Sequence, residues 1–366
     1  MKTVISRVNS PDDAAVSEAA DIIRKGGLVA FPTETVYGLG ANGLDPTAAS
    51  RIYAAKGRPS DNPLILHISC MEELYPLVKR VPEKAKLLAD RFWPGPLTMI
   101  FEKSDIVPYN VTGGLNTVAV RMPSDPVAAK LIELSGVPIA APSANLSGKP
   151  STTSASHVIA DMNGRIDMIL DGGDVDIGIE STIVDTTEEI PMILRPGHIS
   201  IEQIREAAGD ASIDPAVAVF EPGKASSGPK DDRDLVPRAP GMKYRHYAPK
   251  GELVLVTGEP ENVRAYIDDA CSCAKREGRK AAVIASEETK DLYSCGNVFS
   301  LGSIKDEKSL EHGLFRMLRK MDDIGAGIIF AECFDNGVST QGLMNRMLKA
   351  SGNRVINADE IMQAYL

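Results

Sequence analysis

The sequence has no apolar run that approaches the roughly 20 residues a membrane-spanning helix needs, so we expect no transmembrane segment. The N-terminus turns polar by Ser10, which is too soon for a secretory signal peptide. Positive charge is also scarce, with 40 Lys and Arg residues against 50 Asp and Glu residues. The formal net charge of -10 opposes nonspecific coating of nucleic acid, although it leaves room for a local basic pocket.

Cysteine and histidine are too few and too scattered to indicate a disulfide scaffold or a metal site. Five cysteines in 366 residues, an odd number in a long chain, indicate a reducing compartment. Cys271 and Cys273 lie two residues apart on a predicted helix, so they point to different faces and are interpreted as structural thiols. The five histidines show no metal-ligand spacing, so we predict no metal-binding residues and expect any Mg²⁺ to be held largely by phosphates. These features predict a cytoplasmic protein.

Several catalytic signatures are missing from the sequence, namely G-x-x-x-x-G-K-(S/T), H-E-x-x-H, G-x-S-x-G and C-x-x-C. Gly38, Gly40 and Gly43 do fit G-x-G-x-x-G, the fingerprint of dinucleotide-binding proteins. That fingerprint requires a strand that runs directly into the first glycine and a helix that begins at the third. Residues 32–35 separate the predicted strand from the glycines, and residues 44–46 follow the last glycine. A dinucleotide-dependent oxidoreductase is therefore disfavoured.

The length of the chain exceeds one typical core, so two domains are expected. Up to residue 208 the predicted elements are α/β, but strands outnumber helices, which favours a mixed twisted sheet with helices over strict βαβ winding. The predicted helices of this first domain are 12–25, 46–55, 72–79, 83–92, 126–134 and 201–208. Its predicted strands are 28–31, 63–68, 97–101, 117–120, 138–141, 168–170, 182–184 and 192–194.

Residues 209–250 differ in composition and are predicted to form a linker. Residues 221–230 are rich in Gly, Pro, Ser and Lys and cannot build a core. Residues 238–249 carry three cationic side chains, a histidine and two tyrosines, which fit either an exposed tether or a segment packed over a ligand. Beyond the linker, residues 251–366 alternate strands with helices, a pattern that predicts a smaller doubly wound, Rossmann-like α/β domain.

Small polar motifs follow several of the predicted elements. Lys56 and Arg58 offer two cations at a helix exit, suited to a polyphosphate, although cations also suit the helix dipole there. Arg121 ends a strand and suits a carboxylate, whereas the hydroxyl-rich stretch 142–153 also fits an ordinary turn. These motifs supply cations and hydrogen-bond donors without a nucleophile–base pair. The pattern favours a reaction run by positioning and electrostatics, such as nucleotidyl transfer.

Six motifs resemble those of the YrdC/Sua5 family and occur in that family's order. They are residues 32–39 (PTETVYGL), 56–59 (KGRP), 62–68 (NPLILHI), 94–98 (PGPLT), 142–145 (PSAN) and 181–185 (STIVD). Residues 240–247 (PGMKYRHY) resemble the linker signature of the longer Sua5 form, and residues 345–350 match the closing motif of its C-terminal domain. The resemblance implies a YrdC-like catalytic domain at 1–208, a linker or lid at 209–250 and a C-terminal Sua5 domain at 251–366.

The family comprises L-threonylcarbamoyladenylate synthases, so the resemblance implies a nucleotidyltransferase. Its substrates would be L-threonine, bicarbonate and ATP, with Mg²⁺ accompanying ATP, and its products threonylcarbamoyl-AMP and pyrophosphate. The threonine amine would add to the bicarbonate-derived carbon, and the carbamate oxygen would attack the α-phosphorus. The product feeds the N6-threonylcarbamoyl modification of adenosine 37 in tRNAs that read ANN codons. The implied partner is the downstream transferase machinery, with tRNA bound only indirectly or weakly and no membrane involved.

The resemblance also assigns roles to individual residues. Lys56 and Arg58 would be catalytic and would neutralise the triphosphate. The threonine-binding residues would be Thr35, His67, Arg121 and Ser181, with Arg121 pairing with the substrate carboxylate. The nucleotide-binding residues would be Arg58, Asn62, Thr117, Ser143, Asn145, Ser151, Arg195 and Tyr247. Tyr247 and its linker neighbours would cover the site as a lid that excludes water from a labile mixed anhydride.

Two further functions are weighed against this one. A carbamoyltransferase of the hydrogenase-maturation type shares a YrdC-like domain, but such proteins carry C-x-x-C zinc-finger pairs, and the sequence has none. A plain RNA-binding module is disfavoured as the main role because the chain is acidic, and nucleic-acid affinity depends on neutralising phosphates.

Overall fold

The structure is a computed structural model that describes residues 2–217, 220–221, 224, 226–227, 238–240, 246–334 and 340–364. The described chain divides into two compact units. The first holds most of the residues up to Val217, and the second holds most of those from 246 onward together with Gly148–Pro150. The sequence-derived boundaries near 208 and 250 remain predictions. Most of the predicted linker, including residues 241–245 of its signature, lies outside the described residues.

The first unit is built on one mixed sheet. Its strands are β1 (Val4–Arg7), β2 (Val29–Phe31), β3 (Gly38–Asn42), β4 (Ile65–His67), β5 (Leu97–Glu102), β6 (Thr117–Arg121), β7 (Ile139–Ala140), β8 (Met168–Asp171), β9 (Thr182–Asp185), β10 (Met192–Arg195) and β11 (Ser212–Ile213). Among the described residues they lie in the order β1-β8-β2-β3-β7-β4-β6-β5-β9-β10-β11. Parallel pairs such as β4 with β6 alternate with antiparallel pairs such as β5 with β6. The predicted mixed sheet is confirmed.

Helices pack against this sheet, and α2 ends where the candidate site begins. The helices are α1 (Ala14–Arg24), α2 (Pro46–Lys56), α3 (Glu83–Phe92), α4 (Tyr109–Thr112), α5 (Pro126–Ser135), α6 (Ala155–Met162) and α7 (Ile201–Ala208). At the start of α2, the Asp45 side chain accepts a hydrogen bond from the Thr47 backbone N–H. Gly57 ends the helix in the left-handed conformation, with φ 64°. These two caps fix the point at which Lys56 and Arg58 leave the helix.

The helix predicted at 72–79 is wrong. That segment forms two short 3₁₀ turns, Met71–Glu73 and Tyr75–Leu77. Pro76 explains the difference, because proline has no N–H to donate and disfavours a helical conformation in the residue before it.

Strand β3 and helix α6 are absent from the sequence prediction. The residues of β3 are Gly38-Leu39-Gly40-Ala41-Asn42, and glycine is depleted in strands. Gly40 is needed for packing, because an added Cβ would lie 2.7 Å from Ile139 Cγ2 and 2.8 Å from Phe31 Cε1. Since the glycines form a strand paired antiparallel to β2, the rejection of a dinucleotide-binding loop is confirmed. Helix α6 begins within a hydroxyl-rich stretch, where the Ser154 side chain caps it by accepting a bond from His157 N–H.

Alternation along the central strands separates an apolar face from a polar one. Leu66 on β4, Val120 on β6 and Met99 on β5 point into the large core of the unit. Their neighbours His67, Arg121 and Thr98 pair directly across the same three strands. The sheet therefore carries a row of polar side chains on the face opposite its large core, next to a small apolar cluster that includes Ile65, Ile100 and Ala119.

The second unit contains a parallel sheet linked by helices. Its strands are β12 (Ser226–Ser227), β13 (Glu252–Thr257), β14 (Ala281–Ala285), β15 (Val298–Ser300), β16 (Ile328–Glu332) and β17 (Arg354–Asn357). Its helices are α8 (Pro260–Arg276), α9 (Glu307–Asp323), α10 (Gln341–Ser351) and α11 (Ala358–Ala364). The described strands lie in the order β12-β17-β13-β16-β14-β15, and β13 to β17 are mutually parallel. This confirms the predicted Rossmann-like arrangement.

None of the helices in the described part of the chain is both long enough and apolar enough to cross a membrane.

Gly40→Ala tests whether β3 depends on the absence of a side chain. The added methyl group would overlap Phe31 and Ile139, so we expect the free energy of unfolding to fall by about 1–3 kcal/mol in a urea titration. Gly296→Ala is the control, because a Cβ at Gly296 meets no atom within 4 Å, and its stability should change little. Equal stability of the two variants would contradict the packing role of Gly40.

Candidate active site

Three loops of the first unit are joined through their backbones near the row of polar residues. Tyr37 N–H donates to Thr152 O at 2.9 Å, and Ala144 N–H donates to Tyr37 O at 2.8 Å. Gly178 N–H donates to Thr35 O at 3.1 Å. The sequence motif at 32–39, the hydroxyl-rich stretch 142–153 and the loop at Gly178 are thereby brought together, although they lie far apart along the chain.

Arg121 is the centre of the first polar group. Its side chain is 3% exposed. Nη1 donates to Thr35 Oγ1 at 2.8 Å, and Nε donates to the Gly95 carbonyl at 3.3 Å. Nη2 lies 2.7 Å from Glu34 Oε1, which makes a buried ion pair. Arg121 and Thr35, which were both assigned to the threonine site, are therefore in contact.

Glu34 is a functional candidate that the sequence analysis missed. Burial is the largest single cause and raises the pKa of its carboxyl, but the charge of Arg121 acts together with hydrogen bonding from the Arg121 side chain and from nearby backbone groups and leaves the pKa below its ordinary value. By strict geometry, no well-aligned hydrogen bond between described residues reaches either Glu34 oxygen or Arg121 Nη2. A buried carboxylate and a buried guanidinium thus lie side by side, and neither has all of its hydrogen-bonding groups satisfied by well-aligned partners. The only hint in the sequence is an acid inside the 32–39 motif.

His67 lies beside Arg121 on the neighbouring strand and is buried. Its Nδ1 lies 3.2 Å from Ile65 O and 3.3 Å from Ile139 O. Both partners are acceptors, so Nδ1 carries the proton in the neutral ring and Nε2 is left as an acceptor. Burial, reinforced by the charge of Arg121, lowers the pKa of His67 to about 3. The ring is therefore neutral near pH 7, suited to orienting a ligand rather than to providing a charge.

Ser181 is held by an arginine that the sequence analysis assigned to the nucleotide. Arg195 donates to the Ser181 carbonyl from Nε at 3.1 Å and from Nη2 at 3.0 Å. Nη2 also lies 3.2 Å from Ser181 Oγ. The Ser181 hydroxyl is 2.7 Å from that of Thr98, next to Arg121 in the row. In this structure Arg195 thus positions a residue of the predicted threonine site.

The second polar group lies where α2 meets the 142–145 motif. The Lys56 ammonium donates to the carbonyl oxygens of Ser143 and Asn145. Ser143 Oγ donates to Asn145 Oδ1 at 2.5 Å, which fixes both side chains. Lys56 and Asn145 are buried and Ser143 is half-buried. The structure therefore brings together three residues that were predicted to bind the triphosphate or the nucleotide.

Arg58 and Asn62 form a separate pair just before β4. Arg58 Nη2 donates to Asn62 Oδ1 at 2.6 Å and to the Pro63 carbonyl at 3.0 Å. Asn62 is buried, whereas Arg58 is half-buried. The predicted proximity of these two residues is present.

Ser151 contacts the segment that carries Ser181. Its buried hydroxyl donates to Glu180 Oε1 at 2.5 Å, and Glu180 directly precedes Ser181. Like Glu34, Glu180 is an acidic residue that the sequence analysis did not assign to the site. A chain of contacts therefore runs from the 142–153 loop to the residues around Arg121.

Two further residues, Thr117 and Tyr247, were predicted to bind the nucleotide. Thr117 begins β6, and with a rise of about 3.3 Å per residue it lies roughly 13 Å along the strand from Arg121. Tyr247 belongs to the second unit, where its ring centroid is 5.2 Å from that of Phe315. Its φ of 63° falls in the left-handed region, which is uncommon for a residue other than glycine. The roles given to both residues stay predictions.

The pH dependence of stability offers a test of the buried neutral His67. Unfolded histidine titrates near pH 6.5, whereas folded His67 has a pKa of about 3. Between these values only the unfolded state binds the proton, so this residue's contribution is complete above pH 6.5 and is lost as the pH falls toward 3. The free energy of unfolding of the wild type should fall between pH 7 and pH 5, and His67 should account for about 2 kcal/mol of that fall. In His67→Gln this part of the fall should be absent, as measured by urea unfolding at the two pH values. An unchanged slope in His67→Gln would refute the assignment.

Known proteins resemble this chain along nearly its whole length. A family model described as telomere recombination, for Sua5, YciO and YrdC proteins, matches residues 21–197. A model described as the C-terminal domain of threonylcarbamoyl-AMP synthase matches residues 199–352. The chain is 52% identical to a threonylcarbamoyl-AMP synthase of Pyrococcus abyssi, over 92% of this chain and 94% of that protein. It is 46% identical to a threonylcarbamoyl-AMP synthase of Bacillus subtilis, over 95% of this chain and 96% of that protein.

A solved structure gives the same result for the fold. The crystal structure of P. abyssi Sua5 complexed with L-threonine matches with a TM-score of 0.87 and 48% identity, covering 98% of this chain and 99% of that chain. The resemblance seen in the sequence motifs is confirmed by identity over both domains and by the fold. The chain therefore belongs to the Sua5 family of enzymes, in the long form that joins a YrdC-like domain to a C-terminal Sua5 domain.

Proposed function

We propose that this chain is an L-threonylcarbamoyladenylate synthase, a nucleotidyltransferase that converts L-threonine, bicarbonate and ATP into threonylcarbamoyl-AMP and pyrophosphate. The names of its relatives in P. abyssi and B. subtilis support this activity. So does the solved complex of P. abyssi Sua5 with L-threonine.

The observation that carries the proposal is the buried pair of Glu34 and Arg121. An amino acid presents an ammonium and a carboxylate, and these two side chains offer the opposite charges with unused hydrogen-bonding capacity. Removing such a pair from water is expensive unless further hydrogen bonds satisfy it. A zwitterionic amino acid would supply those bonds. Thr35, His67 and Ser181 surround the pair with hydroxyl groups and a neutral imidazole, which suit the side-chain hydroxyl of threonine.

The second polar group fits the nucleotide. Lys56 and Arg58 would neutralise the phosphates, and Asn62, Ser143, Asn145 and Ser151 would complete the hydrogen bonding. In this proposal the threonine amine becomes the carbamate, whose oxygen attacks the α-phosphorus while pyrophosphate leaves. The substrates react with one another, so the protein needs no nucleophile of its own and contributes orientation and charge stabilisation.

Mg²⁺ is proposed to enter with ATP. Among the residues that the structure describes, no group of three or more His, Cys, Asp or Glu side chains is arranged to hold a metal ion. The second polar group consists of cations, hydroxyls and amides, which fit an ion bound mainly by phosphate oxygens and water. When bound, Mg²⁺ would withdraw charge from the pyrophosphate leaving group. Lys56 and Arg58 would hold the phosphates around it.

The product has a labile mixed anhydride and would be passed on for N6-threonylcarbamoyl modification of adenosine 37 in tRNA. We propose that the downstream transferase machinery in the cytoplasm takes it up, and that tRNA contacts this chain only indirectly or weakly. This fits the net charge of -10, because stable binding to nucleic acid relies on cationic surfaces.

The activity can be tested by measuring pyrophosphate release from ATP with threonine and labelled bicarbonate. We expect release that requires all three substrates, together with a labelled, acid-labile adduct of AMP. Omitting threonine or bicarbonate is the control and should abolish the adduct. Pyrophosphate release without either substrate, or incorporation of label from carbamoyl phosphate instead, would refute the proposal.

Arg121→Lys tests the threonine site without leaving Glu34 unpaired. Lysine keeps the charge but loses the planar fork, so we expect the KM for threonine to rise at least ~10-fold while the KM for ATP changes little. The variant Arg121→Met/Glu34→Gln removes both charges and should raise the threonine requirement further. Arg80→Lys, at an exposed position, is the matched control. An unchanged KM for threonine in a folded Arg121 variant would remove Arg121 from the substrate site.

A further inference from the structure

Two cysteines meet in the second unit, far apart in sequence. Cys271 projects from α8 into the core of this unit, and Cys295 packs against the same core from the segment just before β15. Neither forms a disulfide. The sequence analysis treated Cys271 and Cys273 as structural thiols on different faces. The tertiary structure instead brings Cys271 to Cys295, while Cys273 lies beside Arg276.

The two thiols line the same cavity and pack in the same apolar cluster, and each shifts the pKa of the other. The hydrogen bond from the Cys271 thiol is the largest cause that lowers the pKa of Cys295, to about 6, although burial and the nearby Asp268 oppose the shift. The same hydrogen bond, together with burial, raises the pKa of Cys271. A thiolate at Cys295 with a protonated thiol donating to it is the arrangement of a reactive cysteine and its resolving partner.

A cavity of about 370 Å³ opens beside the pair and is lined by both cysteines. Its charged lining residues are Asp268, Lys275, Arg279 and Lys280. Asp268 accepts a hydrogen bond from the Ser294 backbone N–H, and Arg279 forms an ion pair with Glu252. Asp268 opposes a thiolate at Cys295, so the hydrogen bond from Cys271, rather than the charged lining, is what favours it. The cavity is large enough to admit a small solute to the sulfur atoms.

We propose that Cys271 and Cys295 form a reversible oxidation site at which a hydroperoxide converts two adjacent thiols into a disulfide. The Cys295 thiolate attacks the peroxide, so that an S–O bond forms and the O–O bond breaks. The leaving oxygen departs as hydroxide or alkoxide and takes a proton from solvent to become water or an alcohol. The Cys271 sulfur then attacks the sulfenic acid, an S–S bond forms, and the S–O bond breaks, releasing hydroxide that takes the Cys271 proton as water. The two thiols lose two electrons, which the peroxide gains, and a dithiol reductant reverses the change.

The disulfide would connect α8 to the segment that leads into β15, within one unit. The proposal therefore concerns a covalent modification of the second unit and stands apart from the synthase activity. Its test needs no measurement of that activity.

Peptide mapping of the full chain provides the first test. After treatment with hydrogen peroxide and trypsin, we expect peptides 265–275 and 291–305 to be joined and to separate again on reduction. Peptide 265–275 contains both Cys271 and Cys273, so Cys273→Ser is the matched control and should keep the crosslink. Cys271→Ala should lose it and should instead accumulate a sulfenic acid at Cys295 that dimedone traps. A crosslink that persists in Cys271→Ala, or a Cys295 that stays reduced, overturns the proposal.

The pH profile of alkylation provides a second, independent test. The rate at which iodoacetamide modifies Cys295 should rise with a midpoint near pH 6 in the wild type. In Cys271→Ala the hydrogen bond is missing, so the midpoint should move up by ~2 pH units toward that of an ordinary cysteine. Cys273→Ser should leave the midpoint unchanged. A midpoint that is the same in Cys271→Ala and the wild type shows that the two sulfur atoms do not interact, and the proposal fails.

Discussion

The candidate active site depends on a buried ion pair between Glu34 and Arg121. Either charge alone would destabilise the folded protein in this buried environment, so removing one partner would leave the other as an unpaired buried charge. The pair joins the loop after β2 to the end of β6, while Thr35 adds a hydrogen bond to the same guanidinium. The loop that carries Glu34 and Thr35 is thereby held against the polar row on the sheet. The 142–153 stretch also reaches the segment that carries Ser181, because Ser151 donates a hydrogen bond to Glu180.

The fold provides the low-polarity surroundings that make this arrangement effective. Directly paired positions on β4, β6 and β5 place His67, Arg121 and Thr98 side by side, opposite the large core. Buried groups interact more strongly than groups in water because the local dielectric constant is lower. The same burial keeps His67 neutral, so the positive charge within this row comes from Arg121 alone. Orientation and preformed charge are what the proposed reaction would require of the protein.

The second unit shows a different use of burial. Its parallel sheet has an apolar core, and the oxidation site that we propose lies at Cys271 and Cys295, beside that core. Cys273, only two residues from Cys271, lies in a different environment beside Arg276. The proposed reactivity therefore depends on the tertiary structure rather than on the spacing of cysteines along the chain. This unit can carry a chemical modification that is independent of the chemistry in the first unit.

The family, the mixed and parallel sheets and most of the helices could be predicted from the sequence, because apolar periodicity and short motifs are local properties. Helix α7 matches its prediction at 201–208, whereas the helix expected at 72–79 is wrong because Pro76 interrupts it. Three contacts are seen only in the folded protein: the glycines of β3 pack against Phe31, Arg121 pairs with Glu34, and Arg195 holds Ser181. Such contacts join segments whose separation along the chain carries no local signal. They are set by strand register and by the need to satisfy buried charges, and both exist only once the chain has folded.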